Sequence, residues 1–530
     1  MKTIVKSIIK RNKYKILLLQ LASMVNTIAM IGNIFLEGQL LNSLVYSKDR
    51  GNFFKILCLL IFLGILKLIL SFFTNKVQIL DYRRAFLYAN ELLIKKLYKK
   101  DTLEILKKDP IKLTDQINDD ITEVMSFIFQ TISQLIALLL SLAIILVYLI
   151  KTNVLYFWII LLLLFIYTMF YFFLKPRMYT VSLDLKNIYN EYFSKLSDWL
   201  RRYVEIKGKE EIALNRFSLR KTENKLLKIG YKDFVLNYVM SLLQIGIQLI
   251  FQLFLFIWGG MSVIAGKITI GYFSVILQYF NQLLSEADNL FSILVRIESF
   301  KASYARMDNL LSMKPEVDGA IKINTVQNIF LNKVNISLNG EKELFKNTVT
   351  YRFENPGFYV ITGKNGIGKS TLLRSITGIY NSKTSGDIFI NGMEVEKINR
   401  KEMRRDNIGF LFQDMDIPSC TVEEYLENYV DKIKNKYYSQ VFYSKRFNIK
   451  HFLDKKMDTL SSGELQLVKL YSALTKNAEC LVLDEPMANI HSSMKKDILQ
   501  LLEEISKKCM IIMISHDEEI LFNKNTLKIE

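Results

Sequence analysis

The chain has 530 residues, of which 50% are hydrophobic and 23% are charged, and its mean hydropathy is +0.18. This composition excludes a disordered tail, a collagen-like repeat and a small disulfide scaffold, and it indicates a protein that is partly embedded in a membrane. The formal net charge of +18 fits either nucleic acid or anionic lipid, so the position of the charges has to decide between these partners.

Long apolar segments fill the first part of the chain. A helix of about 20 residues crosses the roughly 30 Å hydrocarbon core of a bilayer. The sequence predicts six such spans, at residues 16–35, 53–73, 127–150, 154–174, 238–264 and 272–295. The long connections after the second and fourth spans also have helical patterns. We therefore expect an all-α, six-helix transmembrane domain with long intracellular helices over residues 1–315.

Lysine and arginine are concentrated on one side of these spans. Residues 1–15 and the two long connections are rich in cations, whereas the alternate connections are short and carry few. By the positive-inside rule both termini face the cytoplasm. Topology thus explains much of the positive charge. We predict a multi-pass protein of the cytoplasmic membrane whose partner is the lipid bilayer and not nucleic acid.

The pattern changes in the second part of the chain, which we take as residues 316–530. Short β-rich runs such as FYVITG, CLVLDEP and CMIIMISHD alternate there with helical segments. Apolar strands bounded by glycine or acidic residues, with helices between them, predict an α/β domain with a largely parallel sheet. This domain is predicted to lie in the cytoplasm.

Residues 363–371 (GKNGIGKST) match the phosphate-loop pattern G-x-x-x-x-G-K-[ST] between a predicted strand and a predicted helix. Glycines allow backbone N–H groups to wrap a phosphate, and the helix N-terminus adds its positive end. Lys369 is predicted to reach the β- and γ-phosphates of ATP, and Ser370 to bind Mg²⁺. The predicted ATP-binding residues of this loop are Gly363, Lys364, Asn365, Gly366, Gly368, Lys369, Ser370 and Thr371.

An acidic pair ends the apolar run CLVLDEP. Asp484 is expected at the strand tip, where it suits Mg²⁺ bound through water. Glu485 suits a general base that positions the attacking water. An acidic pair after a strand is usually only a turn or helix-cap feature, but its occurrence in a chain with a phosphate loop favours a catalytic role.

Three further motifs give the chain a resemblance to the ATP-binding-cassette (ABC) family. LSSGE at residues 460–464 resembles the family's signature motif, Gln413 in FLFQD falls in the place of the Q-loop, and His516 in MISHD matches the switch histidine. The resemblance covers essentially the whole chain. It implies a half-transporter, one membrane domain fused to one nucleotide-binding domain, that works as a dimer with a second copy or a homologous half-transporter.

The resemblance also adds residues to the predicted site. In the family, ATP lies between the phosphate loop of one subunit and the signature motif of the other. The residues that this implies are Ser461, Ser462, Gly463 and Glu464 for ATP, Gln413 for ATP and Mg²⁺, and His516 beside Glu485 for catalysis.

Four positions depart from the family pattern. Leu338 stands where the family usually has an aromatic ring on adenine, and His491 stands where the D-loop usually has aspartate. Ser462 and Glu464 replace a glycine and a glutamine of the signature. None of these changes removes a predicted catalytic residue, so we expect hydrolysis. They leave open a heterodimer with one weakened site.

Polar residues inside the spans bear on the substrate. Gln244, Gln248 and Gln252 repeat every fourth residue and form one stripe on the fifth span. The stripe suits a cavity that hydrogen-bonds a peptide-like or amphipathic substrate. The alternative is inter-helix hydrogen bonding, worth about 0.6 kcal/mol on average. No peptidase-sized segment precedes the first predicted span, so an exported peptide is expected to arrive already processed.

We therefore predict an ATPase that drives export of an amphipathic substrate, whether peptide-like, lipid or drug, across the cytoplasmic membrane. One alternative is an ATP-gated sensor or resistance partner, or a hydrolysis-weak subunit of a heterodimer. A second is an importer, which the fusion of both domains in one chain disfavours by family analogy. A third is a soluble-type ABC protein that acts on the ribosome or DNA, which the predicted spans make remote.

Overall fold

A computed structural model describes residues 1–47, 50–108, 110–210, 212–316, 318–337, 343–380, 383–429, 449–476, 478–516 and 525–529. The chain divides into two compact units. The first comprises Met1–Ile94 and Asp115–Asn309, and the second comprises Lys95–Thr114 and Leu310–Glu530. The predicted fold class, a helical transmembrane domain followed by an α/β domain, is confirmed.

Helices account for most of the chain before residue 313. They are α1 (Lys2–Asn42), α2 (Arg50–Lys76), α3 (Tyr82–Leu97), α4 (Thr102–Leu106), α5 (Pro110–Ser126), α6 (Ile132–Thr152), α7 (Val154–Arg201), α8 (Tyr203–Lys209), α9 (Ile212–Phe254), α10 (Gly260–Ile264) and α11 (Ile270–Ser312). Wider π-helical turns occupy Ser43–Ser47, Val77–Asp81, Phe127–Thr131 and Leu255–Gly259. Asn153 adopts an extended conformation between α6 and α7, and its side chain accepts a hydrogen bond from the N–H of Leu155, which caps α7.

Five helical stretches among the described residues are long and apolar enough to cross a membrane: Lys2–Tyr46, Arg50–Leu97, Lys112–Thr152, Val154–Arg201 and Arg216–Ile264. The sixth predicted span lies within α11, which has 43 residues and is long enough to cross. Polar residues make it less apolar than the other five, among them Gln278, Gln282 and Glu286.

The membrane unit is held together by aromatic packing and by close helix contacts. Tyr171 of α7 stacks on Phe291 of α11 with a centroid separation of 3.4 Å. A Cβ atom on Gly271 would lie only 1.9 Å from the carbonyl oxygen of Gly38, so α1 and α11 meet at a pair of glycines. Small residues that bring helix backbones together are typical of membrane bundles, where apolar burial gives little driving force between helices.

The second unit includes a short segment, Lys95–Thr114, from the connection between α2 and α6. This segment runs beside the end of α11: the ammonium of Lys100 donates to the carbonyl oxygen of Met313 at 2.8 Å, and the N–H of Asp101 donates to that of Lys314 at 2.9 Å. Lys100 also forms an antiparallel β-bridge with Pro315. The connection after the second predicted span is therefore fastened through its backbone to the segment that leads into the α/β domain.

Two sheets form the α/β domain. The antiparallel sheet has the order β2-β1-β4-β5, and the parallel sheet has the order β6-β7-β8-β3-β9. The strands are β1 (Asn328–Ser337), β2 (Val349–Glu354), β3 (Gly357–Gly363), β4 (Lys383–Ile390), β5 (Met393–Glu394), β6 (Ile408–Leu411), β7 (Cys480–Asp484), β8 (Met510–Ile514) and β9 (Asn525–Ile529). The helices are α12 (Lys369–Ile376), α13 (Arg400–Asp406), α14 (Val422–Tyr429), α15 (Ser462–Leu474) and α16 (Ser492–Ser506).

The parallel sheet forms the centre of this domain. Every residue of β7 and of β8 is buried, because apolar clusters cover both faces of the sheet. One cluster contains Leu470 of α15 and Leu502 of α16, and the other contains Leu372 of α12 with residues of the antiparallel sheet. In a parallel sheet that is covered on both faces, ligands bind at the carboxyl ends of the strands. The predicted site residues lie there, directly after β3, β7 and β8.

Candidate functional site

The phosphate loop connects β3 to α12. Gly363, Gly366 and Gly368 have φ values of 154°, 79° and 105°, a region that L side chains rarely adopt. Residues 364–366 at the tip of the loop are exposed. The ammonium of Lys369, which is buried, donates to the carbonyl oxygens of Gly363 at 2.8 Å and Lys364 at 3.0 Å. Lys369 thus lies across the loop, at the first residue of the helix that follows it.

Two charge effects act on Lys369. Burial lowers its pKa, and the carboxylates of Glu485 and Asp484 partly offset this effect. The two sequence motifs, which lie more than 100 residues apart in the chain, therefore act on one cation. An anionic phosphate at this place would favour the charged lysine further.

Asp484 has the environment expected of a metal-binding carboxylate. Its side chain is buried at the end of β7, and neither of its oxygens has a hydrogen bond of good geometry. Burial raises its pKa, and the nearby hydroxyl of Ser370 and guanidinium of Arg374 lower it in part. A buried carboxylate without a partner is costly unless a cation compensates it. Asp484 and Ser370 together are hard oxygen donors of the kind Mg²⁺ prefers, so the residues present fit that ion.

Glu485 lies between two of the other predicted residues. Its Oε2 accepts a hydrogen bond from the amide of Gln413 at 3.2 Å, and its Oε1 is 3.7 Å from Nε2 of His516. A cavity of about 520 Å³ opens beside Glu485 and His516 and is lined in part by Met487 and Met513. The carboxylate is half-buried, with access to water, as a residue that orients an attacking water requires.

The signature residues lie at the start of α15. The hydroxyl of Ser461 accepts from the N–H of Glu464 at 3.3 Å, and the carboxylate of Glu464 accepts from the N–H of Ser461 at 2.8 Å, which together form a capping box. Lys455 lies 3.4 Å from the same carboxylate. These hydrogen bonds lower the pKa of Glu464. Glu464, which stands in place of the usual glutamine, therefore takes part in a helix cap.

The signature residues also meet the segment after Glu485. A Cβ atom on Gly463 would lie 2.8 Å from the carbonyl oxygen of Asn489, so this position needs glycine in its own chain. Ser461 and Ser462 are exposed. Among the described residues, no hydrogen bond or ion pair joins positions 461–464 to the phosphate loop. The structure thus gathers most of the predicted residues around Lys369 and Glu485 and leaves the signature on a separate exposed surface.

The remaining departures have different outcomes. His491 caps α16, with its Nδ1 atom 3.5 Å from the N–H of Ser493 and 3.0 Å from the hydroxyl of the same residue. Histidine therefore does at this position what a capping aspartate would do locally. Leu338 lies outside the described residues.

Sequence reasoning missed several residues that contact the predicted site. Arg374 pairs with Asp414, the neighbour of Gln413, and its guanidinium lies 5.2 Å from the ring of Phe412. Gln466 donates to the backbone of the Glu485 loop. Each lies within a few residues of a motif, but nothing in the sequence says which side of its helix meets the site.

In the membrane unit, the amide of Gln244 and the hydroxyl of Tyr167 both donate to Asp288. The sequence alone could have indicated this cluster, because Asp288 is a carboxylate inside a predicted span and such residues usually have partners within the bundle.

Comparison with known proteins agrees with this geometry. The profile described as ABC transporter transmembrane region matches residues 16–286, and the profile described as ABC transporter matches residues 347–488. The first match alone covers more than half of the chain. The chain belongs to the ABC transporter family. It carries the transmembrane region and the ATP-binding region of this family in one polypeptide, which confirms the predicted half-transporter architecture.

Individual ABC proteins resemble parts of the chain. The energy-coupling factor transporter ATP-binding protein EcfA1 of Mycoplasma mobile is 32% identical over 179 residues, which are 32% of this chain and 65% of that protein. The ABC transporter ATP-binding protein YtrE of Bacillus subtilis is 34% identical over 173 residues, 30% of this chain and 73% of that protein. A probable ABC transporter ATP-binding/permease protein of Haemophilus influenzae is 29% identical over 232 residues, 42% of this chain and 41% of that protein. The matches thus span between about two fifths and three quarters of these relatives.

A solved structure resembles the whole chain. It is described as a bacterial Atm1-family ABC exporter with ATP bound, and it aligns with a TM-score of 0.81 over 98% of this chain and 94% of its own. Its sequence is only 16% identical, so this likeness concerns the fold.

Proposed function

We propose that this ABC transporter hydrolyses ATP and uses the energy to export an amphipathic substrate across the cytoplasmic membrane. The observation that carries the proposal is the convergence of Lys369, Asp484, Glu485 and Gln413 at the carboxyl ends of the parallel strands. These four side chains come from three separate motifs. A merely structural loop would not need a buried carboxylate without a well-formed hydrogen bond beside a phosphate loop.

The residues divide the work of hydrolysis between them. The glycine-rich loop and Lys369 bind the phosphates. The negative charge of a bound phosphate favours the protonated form of Lys369. Glu485 accepts a proton from, or orients, the attacking water. Gln413 donates a hydrogen bond to one oxygen of the Glu485 carboxylate, and His516 lies near the other oxygen. Mg²⁺, when bound by Asp484 and Ser370, would neutralise charge on the phosphate oxygens.

Dimerisation completes the proposed site. Ser461 and Ser462 are exposed and make no described contact with the phosphate loop of their own chain. In the proposed dimer, the backbone and side chains at 461–463 contact the γ-phosphate of ATP held by the partner. Closure of this sandwich would then depend on ATP, and its opening on hydrolysis.

The membrane unit supports the export part of the proposal. Its helices combine exposed apolar surfaces, such as Phe62 and Leu68 of α2, with polar groups inside the bundle. Neutral amides on α9 suit an amphipathic substrate, whether peptide-like, lipid or drug. By the positive-inside rule, the cation-rich connections support a cytoplasmic position for the α/β domain.

The test is ATP hydrolysis by the purified full-length protein in lipid vesicles. We expect turnover by the wild type, loss of turnover with retained ATP binding in Glu485→Gln, and loss of both in Lys369→Ala. Exposed Lys496→Ala on α16 is the matched control and should match the wild type, since its side chain lies outside the phosphate loop and the buried cluster. Wild-type hydrolysis no faster than that of Glu485→Gln would overturn the proposal and favour a nucleotide-gated sensor or a hydrolysis-weak subunit.

A further inference from the structure

The loop that carries Glu485 has an unfavourable backbone conformation. Glu485 itself has φ of 48°, and Asn489 has φ of 63°, values uncommon for residues other than glycine. Such conformations persist only where the surroundings hold them. The loop therefore needs external anchors, and their identity determines where the carboxylate points.

Two backbone hydrogen bonds provide part of this anchoring. The N–H of Glu485 donates to the carbonyl oxygen of Ile514 at 3.2 Å, and the N–H of Ala488 donates to the carbonyl oxygen of Glu485 at 3.1 Å. Both are formed within the turn or with the neighbouring strand. The first fixes the N–H of Glu485 to β8, but neither fixes the carbonyl groups of Glu485 and Pro486 to another element.

Gln466 provides that link from the signature helix. Its amide nitrogen donates to the carbonyl oxygens of Glu485 at 3.1 Å and Pro486 at 3.2 Å. A single side chain thus uses both of its N–H groups on two successive peptide groups. Gln466 lies in the second turn of α15, directly after the capping box, so its own position is fixed by a well-formed helix start.

The same helix also holds the segment that follows Gln413. Buried Lys469, one turn after Gln466, donates to the carbonyl oxygen of Met415. Gln413 is the residue whose amide binds the carboxylate of Glu485. One face of α15 therefore contacts the backbone of Glu485 and the backbone of Met415, two residues after Gln413.

We infer that Gln466 is a positioning residue for Glu485: it holds the strained loop so that the carboxylate lies between Gln413 and His516. The inference rests on the proposed function, since Glu485 has a catalytic task only where ATP is hydrolysed. It extends that function, because Gln466 belongs to the helix whose first residues are proposed to contact the partner's ATP. Movement of α15 on dimer closure would reach Glu485 through this side chain.

The test compares three variants of the full-length protein in lipid vesicles. Gln466→Met keeps the length of the side chain and removes its donors, Gln466→Lys restores donors, and Gln500→Met is the control on exposed helix surface of α16. We expect Gln466→Met to lower kcat by about tenfold or more, as misplacement of a catalytic group does. KM for ATP should stay within about twofold, Gln466→Lys should recover most of the rate, and Gln500→Met should match the wild type.

Hydrogen–deuterium exchange of the segment 485–488 supplies a readout that does not depend on turnover. The amides of this segment should exchange faster in Gln466→Met than in Gln500→Met. Absence of wild-type hydrolysis would defeat the proposed function, while the exchange result would still test the anchor. An unchanged kcat, an equal loss in Gln466→Lys, or unchanged exchange of 485–488 would each overturn the inference.

Discussion

The environment of Asp484 conflicts with stability. Its carboxylate is buried without a hydrogen bond of good geometry, and burial raises its pKa. Between the ordinary pKa of aspartate and this raised value, the folded protein binds more protons than the unfolded chain. Stability therefore falls as the pH rises through that window, and above it the whole cost is present.

Asp484→Asn should stabilise the protein and inactivate it. Without nucleotide at pH 7.5 we expect the thermal midpoint of the α/β domain to rise by about 2–4 °C, the range that corresponds to roughly 1 kcal/mol for a domain of this size. The gain should shrink as the pH is lowered, because wild-type Asp484 then becomes neutral. ATP hydrolysis should be lost. Thermal unfolding at several pH values, beside a hydrolysis assay, measures both effects.

Asp497→Asn is the matched control, since Asp497 is exposed on α16 and its replacement should change neither property. A lower midpoint for Asp484→Asn at neutral pH would contradict the argument. It would mean that neighbouring groups already compensate the charge in the absence of a cation.

Helix α15 serves two purposes at its N-cap, the residue just before its first turn. Ser461 caps the helix through its hydroxyl, and the same hydroxyl is proposed to donate to a phosphate of the partner's ATP. The cap uses the hydroxyl as a hydrogen-bond acceptor, whereas the contact with phosphate uses it as a donor. A cap needs an acceptor, which aspartate also offers, whereas a phosphate needs a donor.

Three substitutions of Ser461 should therefore separate the two roles. Ser461→Ala is expected to lose about 1 kcal/mol of stability and also ATP hydrolysis. Ser461→Asp should keep the helix cap, and thus the thermal midpoint, but lose hydrolysis because its charge repels phosphate. Ser461→Thr should keep both. Thermal unfolding and hydrolysis of the three proteins give the answer, and wild-type turnover by Ser461→Asp would exclude a phosphate-donating role.

Most helices and strands could be predicted, because each depends on the pattern of residues within its own short stretch of sequence. The five apolar stretches are continuous, and the strand and helix around 363–371 follow from the pattern of glycine and apolar residues. The sixth span was placed within α11, although its polar residues set it apart from the others. Hydrophobic runs of this length leave few alternative structures.

Contacts between distant segments could not be predicted in the same way. Nothing in the sequence indicates that Lys100 would bond to the end of α11, or that Gln466 would face the loop of Glu485. Such contacts depend on the direction of helices that are fixed by packing elsewhere. The amide stripe on α9 is an example: its spacing was predictable, but not that Gln244 donates a hydrogen bond to Asp288 of another helix.

The proposed assembly makes a prediction for the whole molecule. If each ATP lies between two chains, Lys369→Ala damages only the phosphate-loop half of a site and Ser461→Asp only the signature half. A mixed dimer of the two variants then has one doubly damaged site and one intact site. If a single chain forms the complete site, mixing restores nothing.

ATP occlusion in a Glu485→Gln background measures this outcome without relying on cooperation between sites in turnover. Each variant alone should retain almost no radiolabelled ATP after rapid gel filtration. After co-expression, random pairing makes about half of the dimers mixed, so about a quarter of the unmutated level should return. Two tags, one on each variant, allow purification of the mixed dimer, which should occlude one ATP per pair of chains. A tagged pair that forms but occludes no ATP would exclude a shared site and leave the exposed serines of the signature without a nucleotide to contact.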